Sequence, residues 1–501
     1  MSELKVLNSY TRQKEVFTSI TPGHVGLYVC GPTVSGESHL GHARPYVTFD
    51  VIYRYLMHLG YKVRYVRNIT DAGHFEEEGR EAEDKIAKKA VLEKLEPMEL
   101  VQKYTNLYHW GMKQLNTLDP SIEPTATGHI VEQIEMIKKI IEEGYAYEIN
   151  GSVYFDVKKY AEKYPYGKLS GRVMDDLLET TRDLEGQDEK RNKQDFALWK
   201  AAPEEHIMRW ASPWGEGFPG WHIECSAMSS KYLGAEFDIH GGGMDLQFPH
   251  HESEIAQSTI CNKHVPARYW LHNNMITING RKMGKSYNNV IKLTELFSGN
   301  HPLLEKAYSG MTIRFFILQT HYRSTLDFSN EALQASEKGL KRLWEAYEVL
   351  QKLRSEVGSP KSDKAGNAEL DEKIKKLLLE MDDFMNDDFN TAKVLANMFE
   401  LVPVINSIKD KLISIDALSI ATMELLEKYF KQYVEDILGL KGDIEKEDGK
   451  LEGVIGLLIE IRKEAKARKD YATSDKIRQQ LQQLGILLKD EKDGGVSYSF
   501  A

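Results

Sequence analysis

The chain has 501 residues, with 65 Lys and Arg against 76 Asp and Glu for a net charge of −11. At roughly 150 residues per domain this length excludes a single compact domain, and the acidic balance excludes a globally basic nucleic-acid coat while leaving room for a local basic face. A composition of 41% hydrophobic and 28% charged residues excludes global disorder and collagen-like structure.

No apolar run approaches the ~18 residues of a membrane span. The start, Met1-Ser2-Glu3-Leu4-Lys5, lacks the apolar core of a secretory signal. Three cysteines, Cys30, Cys225 and Cys261, are too few for a disulfide framework, so a cytoplasmic, reducing location is expected. In that setting a cysteine is a candidate metal ligand or catalytic thiol.

Residues 24–30 are β-rich and are stopped by Gly31-Pro32. A helix is predicted from about Ser38, where Leu40, Val47, Val51, Ile52, Leu56 and Leu59 recur near helical spacing. Residues 62–69 read as a second strand. Strand, crossover helix and strand predict a parallel α/β sheet. Residues 115–215 change texture, to mixed helices, polar loops and a charged stretch over 182–193. Strand character returns at 236–240, ahead of a glycine-rich turn, and again at 269–271 and 275–278. The expected layout is one sheet domain split by an insertion. Beyond about residue 330, amphipathic stretches at 332–357, 370–384, 391–408 and 423–438 predict a helical bundle, broken at Gly358-Ser359-Pro360. A charged linker is expected over 441–450, followed by a small basic-helix unit with a polar tail.

Two runs carry phosphate chemistry. The first, residues 30–42, lies where a strand meets a helix, and a helix N-terminus presents unpaired N–H groups and partial positive charge. His39 and His42 can hydrogen-bond phosphate oxygens there, and Gly41 permits close approach of a bulky ligand. The plain alternative is a surface helix start with incidental histidines. The second, residues 280–286, places Lys282 and Lys285 in a glycine-containing loop after an apolar strand. Lysine is a mobile point charge suited to phosphate; the alternative is a solvated charged loop.

Taken together the two runs are specific. His39-Leu40-Gly41-His42 resembles the HIGH signature of class I aminoacyl-tRNA synthetases. Lys282-Met283-Gly284-Lys285-Ser286 resembles their KMSKS signature, in the same order and about 240 residues on. Cys30-Gly31-Pro32-Thr33-Val34, Asn68-Ile69-Thr70-Asp71, residues 220–228 and Phe248-Pro249-His250-His251-Glu252 narrow the resemblance to cysteinyl-tRNA synthetases, and it covers nearly the whole chain. Three departures stand out: Gly284 where serine is commoner, Ser35-Gly36-Glu37 in place of a tyrosine-containing stretch, and a longer, more acidic segment over 72–83. Gly284 removes any role for a hydroxyl at that position.

The resemblance implies a Rossmann-like parallel-sheet catalytic domain in two halves, 1–115 and 216–335. The second half carries the lysine loop and a stem-contact region. A connective insertion at 116–215 separates the halves, and an α-helical bundle (336–440) and an anticodon-binding unit (451–501) follow. It implies a monomer that forms cysteinyl-adenylate from L-cysteine and ATP, with Mg²⁺ accompanying ATP, and passes the cysteinyl group to tRNA(Cys). His39 and His42 would stabilise charge on the α-phosphate, and Lys282 and Lys285 would hold the pyrophosphate, with Gly41 and Ser286 beside them. Asp245, after the glycine run 241–243, can accept from a ribose hydroxyl or an amino group. The G-x-G-x-x-G spacing of dinucleotide sites is absent there, and the resemblance assigns the turn to the adenylate pocket. Thr70 and Trp221 would shape the amino-acid pocket.

Cys30 ends a strand at the mouth of a parallel sheet, Cys225 lies in the returning half, and His250 and Glu254 share one helix face. Two thiolates, an imidazole and a carboxylate make a four-ligand zinc set; read from the residues alone, they are equally two buried cysteines and a capped helix start. The resemblance implies the zinc set. His251 and Glu252 are expected to point elsewhere, and Cys261 to be a buried free thiol. Zinc holds a thiolate far better than an alcohol, which would separate cysteine from serine where a hydrophobic pocket separates such pairs by on the order of a few kcal/mol. Residues 461–480 carry seven cations against three acids, with Tyr471 among them, a pattern suited to RNA. Two other readings remain: a ligase joining cysteine to a small amine, which needs no anticodon unit, and a zinc-stabilised RNA-binding protein without catalysis, against which the two phosphate-binding runs argue.

Overall fold

Apolar residues between the turn at Gly23 and Pro32 build the strand on which the larger part of the molecule is organised. A computed structural model describes residues 2–72, 86, 89–90, 93, 95–172, 189–203, 206–284, 287–442, 447–468, 470–484, 486–490 and 496–500. It divides into two units, Met1–Leu440 and Lys441–Ala501.

The first unit opens with an antiparallel hairpin of β1 (Lys5–Asn8) and β2 (Gln13–Val16) that the sequence pattern did not announce. Strand β3 (His24–Val29), helix α1 (Leu40–His58) and strand β4 (Lys62–Arg67) form the expected parallel crossover, His24 opposite Lys62 and Val29 opposite Arg67. Helices α2 (Pro97–Gln114) and α3 (Ile130–Glu142) follow. Next come β5 (Ala146–Ile149), β6 (Ser152–Phe155), the short helix α4 (Val157–Ala161), β7 (Phe196–Ala201), β8 (Trp210–Ser212) and β9 (Gly215–Pro219). These strands form a five-stranded antiparallel sheet in the order β5-β6-β7-β9-β8. The region is therefore more strand than the mixed helices and loops read from sequence. Its strands are only three to six residues long, β6 is buried at every position, and the β6–β7 register shifts at Val153/Tyr154. No period-2 pattern survives that.

The chain then returns to the parallel sheet. Helix α5 (Trp221–Leu233) leads to β10 (Phe237–Gly243), and α6 (His250–Asn262) leads to β11 (Ala267–Asn273). The sheet order is β11-β10-β3-β4, with Ile239 beside Leu27 and Gly241 beside Val29. The connection from β3 runs one way across the sheet and that from β10 runs the other. The carboxyl ends of β3 and β10 thus border a topological switch point, where open α/β sheets place their ligands.

A further, three-stranded sheet, β13-β12-β14, is made by β12 (Ile276–Ile278), β13 (Arg281–Lys282) and β14 (Leu326–Phe328). Helices α7 (Leu293–Ser298) and α8 (Gly310–Leu318) lie between the last two. The unit ends in α9 (Asn330–Glu356), α10 (Ala368–Asn386), α11 (Thr391–Lys409) and α12 (Ile420–Lys431), the last running into a π-helical turn at Gln432–Ile437. A buried polar knot joins this bundle to α1. Asp50 accepts from Arg54 at 2.8 Å and from Arg314, which also donates to the Leu438 carbonyl at 2.6 Å.

In the second unit α13 (Glu447–Ala467) and α14 (Tyr471–Gln483) precede an antiparallel hairpin of β15 (Ile486–Asp490) and β16 (Val496–Phe500). The polar tail expected from sequence is thus a hairpin. Ile486 and Leu488 face Ile455 and Leu481 in a small core of their own. No helix among the described residues is long and apolar enough to cross a membrane.

Candidate functional site

At the switch point Cys30 leaves the end of β3, Cys225 projects from α5, and His250 and Glu254 come from the first turns of α6. All four are buried. The thiols are 3.8 Å apart, His250 Nε2 is 3.4 Å from Cys225 Sγ and 3.2 Å from Glu254 Oε1, and Cys30 Sγ is 3.7 Å from that same oxygen. A tetrahedral ion with metal–sulfur bonds of ~2.3 Å and metal–nitrogen or metal–oxygen bonds of ~2.0–2.1 Å has ligand–ligand edges of roughly 3.3–3.8 Å. Four of the six donor separations lie near those edges and all lie within 4.8 Å, and sulfur and nitrogen among the donors suit a borderline-soft ion rather than Mg²⁺ or Ca²⁺. The cluster can hold a metal.

Around it stands a histidine shell. His222 Nδ1 lies 3.0 Å from His250 Nδ1, and His240 Nε2 meets the second oxygen of Glu254 at 2.9 Å. His251 runs against expectation. It points into the cluster, with Nε2 3.3 Å from Cys30 Sγ, and its Nδ1 is held 2.8 Å from His272 Nε2, which is in turn anchored on Ser9. Cys30, His240, His251 and Glu254 therefore form a second, overlapping four-donor set. Both histidines of the pair at 250–251 face inward because Cys30 sits at the α6 N-terminus between their directions. Glu252 does point away, its carboxylate taking the backbone N–H and hydroxyl of Ser170. Burial pushes the Cys30 thiol well up and, with its neighbouring imidazoles, pushes His251 well down.

The Trp221 ring lies tilted against that of His250, with centroids 4.3 Å apart. Thr70 is buried and donates to Glu224 Oε2 at 2.9 Å. Glu224, wholly inside α5, lies within the run 220–228 that carries the resemblance but was assigned no role from sequence. Cys261 is buried beside the Met136 carbonyl, its thiol pushed up to about 12 by burial.

The histidine pair expected at the helix start is built by the N-terminus of α1. The backbone N–H of Gly41 donates to His39 Nδ1 at 3.1 Å, and that of His39 donates to His42 Nδ1 at 3.2 Å. Each Nδ1 is an acceptor, so each neutral ring carries its proton on Nε2. Burial, with His39 adding to it, pushes His42 down to about 3, so it is uncharged at neutral pH. The rings stack at 3.8 Å and 19°. The result is a pair of N–H donors at a helix N-terminus, the arrangement an oxyanion requires. Lys282 lies exposed on β13, and Asn289 clips its loop by accepting from Gly284 N at 2.9 Å and donating to the Lys282 carbonyl at 3.1 Å. Met283 rests against Gly41, where a Cβ would collide with it. Lys285 and Ser286 lie outside the described residues, as does the acidic segment 75–83.

Two further residues were missed in sequence. Arg44, buried one turn into α1, donates to the carbonyls of Met275, Tyr322 and Ser324, fastening the histidine helix to the entries of β12 and β14. Glu37 ties the same region to Lys292 and Thr294. Asp245 is exposed just beyond β10. Gly241 and Gly242 are bare because a Cβ would strike Phe49 or His251, so their lack of side chains serves internal packing.

A split parallel sheet with a histidine helix start and a lysine hairpin defines a class I aminoacyl-tRNA synthetase. Residues 16–338 match the family model for the tRNA synthetases class I (C) catalytic domain, and residues 380–441 match the DALR domain. The Mycobacterium tuberculosis methionyl-tRNA synthetase bound by methionyl-adenylate shares the fold at TM-score 0.60 and 13% identity, over 83% of this chain and 92% of that one. Proteins named cysteine--tRNA ligase from Bacteroides fragilis and Porphyromonas gingivalis are 58% and 57% identical to it, in each case over 98% of both chains. The chain belongs to the cysteine–tRNA ligase family, whose reaction is the ATP-driven ligation of L-cysteine to tRNA(Cys). The match takes in the C-terminal unit, which a ligase for small amines has no need of.

Proposed function

We propose that the chain charges tRNA(Cys) in two steps, with a zinc ion held by Cys30, Cys225, His250 and Glu254 selecting the cysteine. The observation that carries this reading is the set of four donor atoms of zinc-binding type, buried and spaced as tetrahedral ligands, at the mouth of the sheet. When bound there, zinc supplies a Lewis acid that takes a thiolate as an added ligand and an alcohol poorly. Trp221 and Thr70 border the same pocket. His39 and His42 donate to the α-phosphate as the cysteine carboxylate attacks it, and Lys282 and Lys285 hold the departing pyrophosphate, whose charge Mg²⁺ shares. Gly41 and Ser286 lie beside them, and Asp245 reaches the ribose. The ribose hydroxyl of the tRNA then takes the cysteinyl group and AMP leaves.

The domain assignment follows. Residues 1–115 and 216–335 act as catalytic halves, 116–215 as the connective insertion, 336–440 as the bundle, and 451–501 as the anticodon reader through its basic helix and the exposed Tyr471. Amino-acid-dependent ATP–pyrophosphate exchange tests the reading: cysteine alone should support exchange. Exchange with another amino acid, or none with cysteine, would overturn it.

A further inference from the structure

Between α10 and α11 the backbone passes through two consecutive residues of positive φ, Asp388 at +66° and Phe389 at +57°. Neither is glycine, so this corner persists only because its surroundings over-determine it. Asp388 is fully buried, and its polar groups are all engaged. Oδ1 accepts from the Leu7 backbone N–H at 2.9 Å and from the Tyr322 hydroxyl at 2.8 Å, and Oδ2 accepts from Arg323 Nε at 2.6 Å. Its carbonyl accepts from His321 Nε2 at 3.0 Å, and its N–H donates to the Lys5 carbonyl at 2.9 Å. Three successive side chains, His321, Tyr322 and Arg323, therefore converge on one residue of the bundle.

The carbonyls of the same segment are taken by the catalytic half. Those of His321, Tyr322 and Ser324 accept from the Arg44 guanidinium, the first two at 3.4 and 3.3 Å. That of Arg323 accepts from Asn274 Nδ2 at 3.0 Å, and that of Tyr322 accepts also from the Asn274 N–H at 2.9 Å. Arg44 lies two residues past His42 on α1. Asn274 lies between β11 and β12, and β12 leads through a tight turn to Lys282 on β13. The histidine helix and the strand that feeds the lysine loop are thus both registered on residues 321–324, and Asp388 holds those residues. The metal cluster rests on other elements, β3, α5 and α6.

We propose that Asp388 is a positioning residue for adenylate formation: by fixing residues 321–324 it sets how the histidine pair and the lysine loop are placed about ATP. The inference rests on the adenylate-forming reading above. A buried polar network with every member satisfied specifies one arrangement. Catalysis by placement is steep in distance, a shift of ~1 Å costing about 10²-fold. Because the histidines and lysines act on charge that develops as the bond to pyrophosphate breaks, misplacing them lowers kcat rather than raising KM.

The test measures cysteine-dependent ATP–pyrophosphate exchange, zinc content and the urea midpoint on the full chain. Asp388→Asn keeps the shape and loses the charge that faces Arg323. Tyr322→Phe keeps the ring and loses one hydroxyl. Both should lower kcat about 10-fold or more, with KM for cysteine within about twofold of wild type and zinc content unchanged. Ile405→Ala, on the buried face of α11, makes none of these bonds. It should cost at least as much stability and leave kcat within about twofold of wild type. Tyr322→Phe decides the matter if Asp388→Asn fails to fold. Wild-type exchange, measured alongside, separates failure of this inference from failure of the adenylate-forming reading. Unchanged kcat in the folded variants, a loss carried by KM for cysteine or by zinc, or an equal fall of kcat in Ile405→Ala would overturn the inference.

Discussion

Lys292 Nζ donates to Glu37 Oε1 at 2.9 Å, joining the approach to the histidine helix to the segment that follows the lysine loop. Thr294 donates to the other oxygen at 2.6 Å, and the backbone bonds Leu40 N to Ile291 O and Leu293 N to Ser38 O, both 2.9 Å, complete the tie. The atypical Ser35-Gly36-Glu37 stretch thus has a structural use: it fixes how the start of the histidine helix and the segment after the lysine loop meet.

That tie predicts a pH signature. Burial pushes the Glu37 carboxyl up, but the bonds from Thr294 and Lys292 outweigh it and hold it below the usual glutamate value. The bond to Glu37 raises Lys292. A depressed carboxyl stabilises above its unfolded pKa of ~4.3 and loses that as pH falls. A raised lysine stabilises below its unfolded ~10.4 and loses that as pH rises. The tie is therefore whole between about pH 5 and pH 10. Glu37→Gln should cost about 0.5–1 kcal/mol at pH 7, since the pair is partly exposed, and less at pH 4. Urea midpoints at the two pH values check this; an equal deficit at both would remove the ionic tie.

The lysine loop should act on activation. Lys285→Ala should slow adenylate formation by about 10²–10³ in single-turnover measurements, because a charge aimed at the leaving group is removed. Gly284→Ser should be mild, since a hydroxyl there leaves the backbone bond to Asn289 in place. Normal adenylate formation in Lys285→Ala would deny the residue this role.

The division of the chain after Leu440 gives a third expectation. Removing residues 441–501 takes away one unit and leaves Leu438 and Leu440 in the core of the other. Cysteine-dependent exchange should survive, while charging of tRNA(Cys) should fall sharply, because remote binding energy positions the acceptor end. Equal loss of both activities in a folded truncation would contradict an anticodon role for the unit.

Much of this was legible in the sequence because the catalytic sheet is made of long, regular elements. The helix at 38–59 and the strands on either side of it stand within two residues of their expected ends. The proposed ligand set at Cys30, Cys225, His250 and Glu254 depends on contacts spanning up to 224 residues, so family resemblance, not spacing, singled it out. His251 was set aside on helical periodicity, which treats a helix as having one functional face. At the first turn of α6 Cys30 lies within reach of two adjacent positions. The five-stranded sheet and the C-terminal hairpin were missed because their short strands carry too few alternations.

The two overlapping donor sets make opposite predictions. If Cys225 and His250 hold the ion, His251→Ala should keep it but release it to a chelator about 10–100-fold more readily, as loss of an outer partner does. Complete loss in His251→Ala, with retention in His250→Ala, would transfer the site to the other set.

Zinc content and amino-acid preference, measured on the same samples, test the central claim most directly. ATP–pyrophosphate exchange with L-cysteine and with L-serine should show strong discrimination by the zinc-loaded wild type. Folded Cys225→Ser should lose both the zinc and the discrimination while still binding ATP. Full zinc occupancy in Cys225→Ser, or undiminished rejection of serine after the zinc is gone, would contradict selection of cysteine by a metal at this cluster.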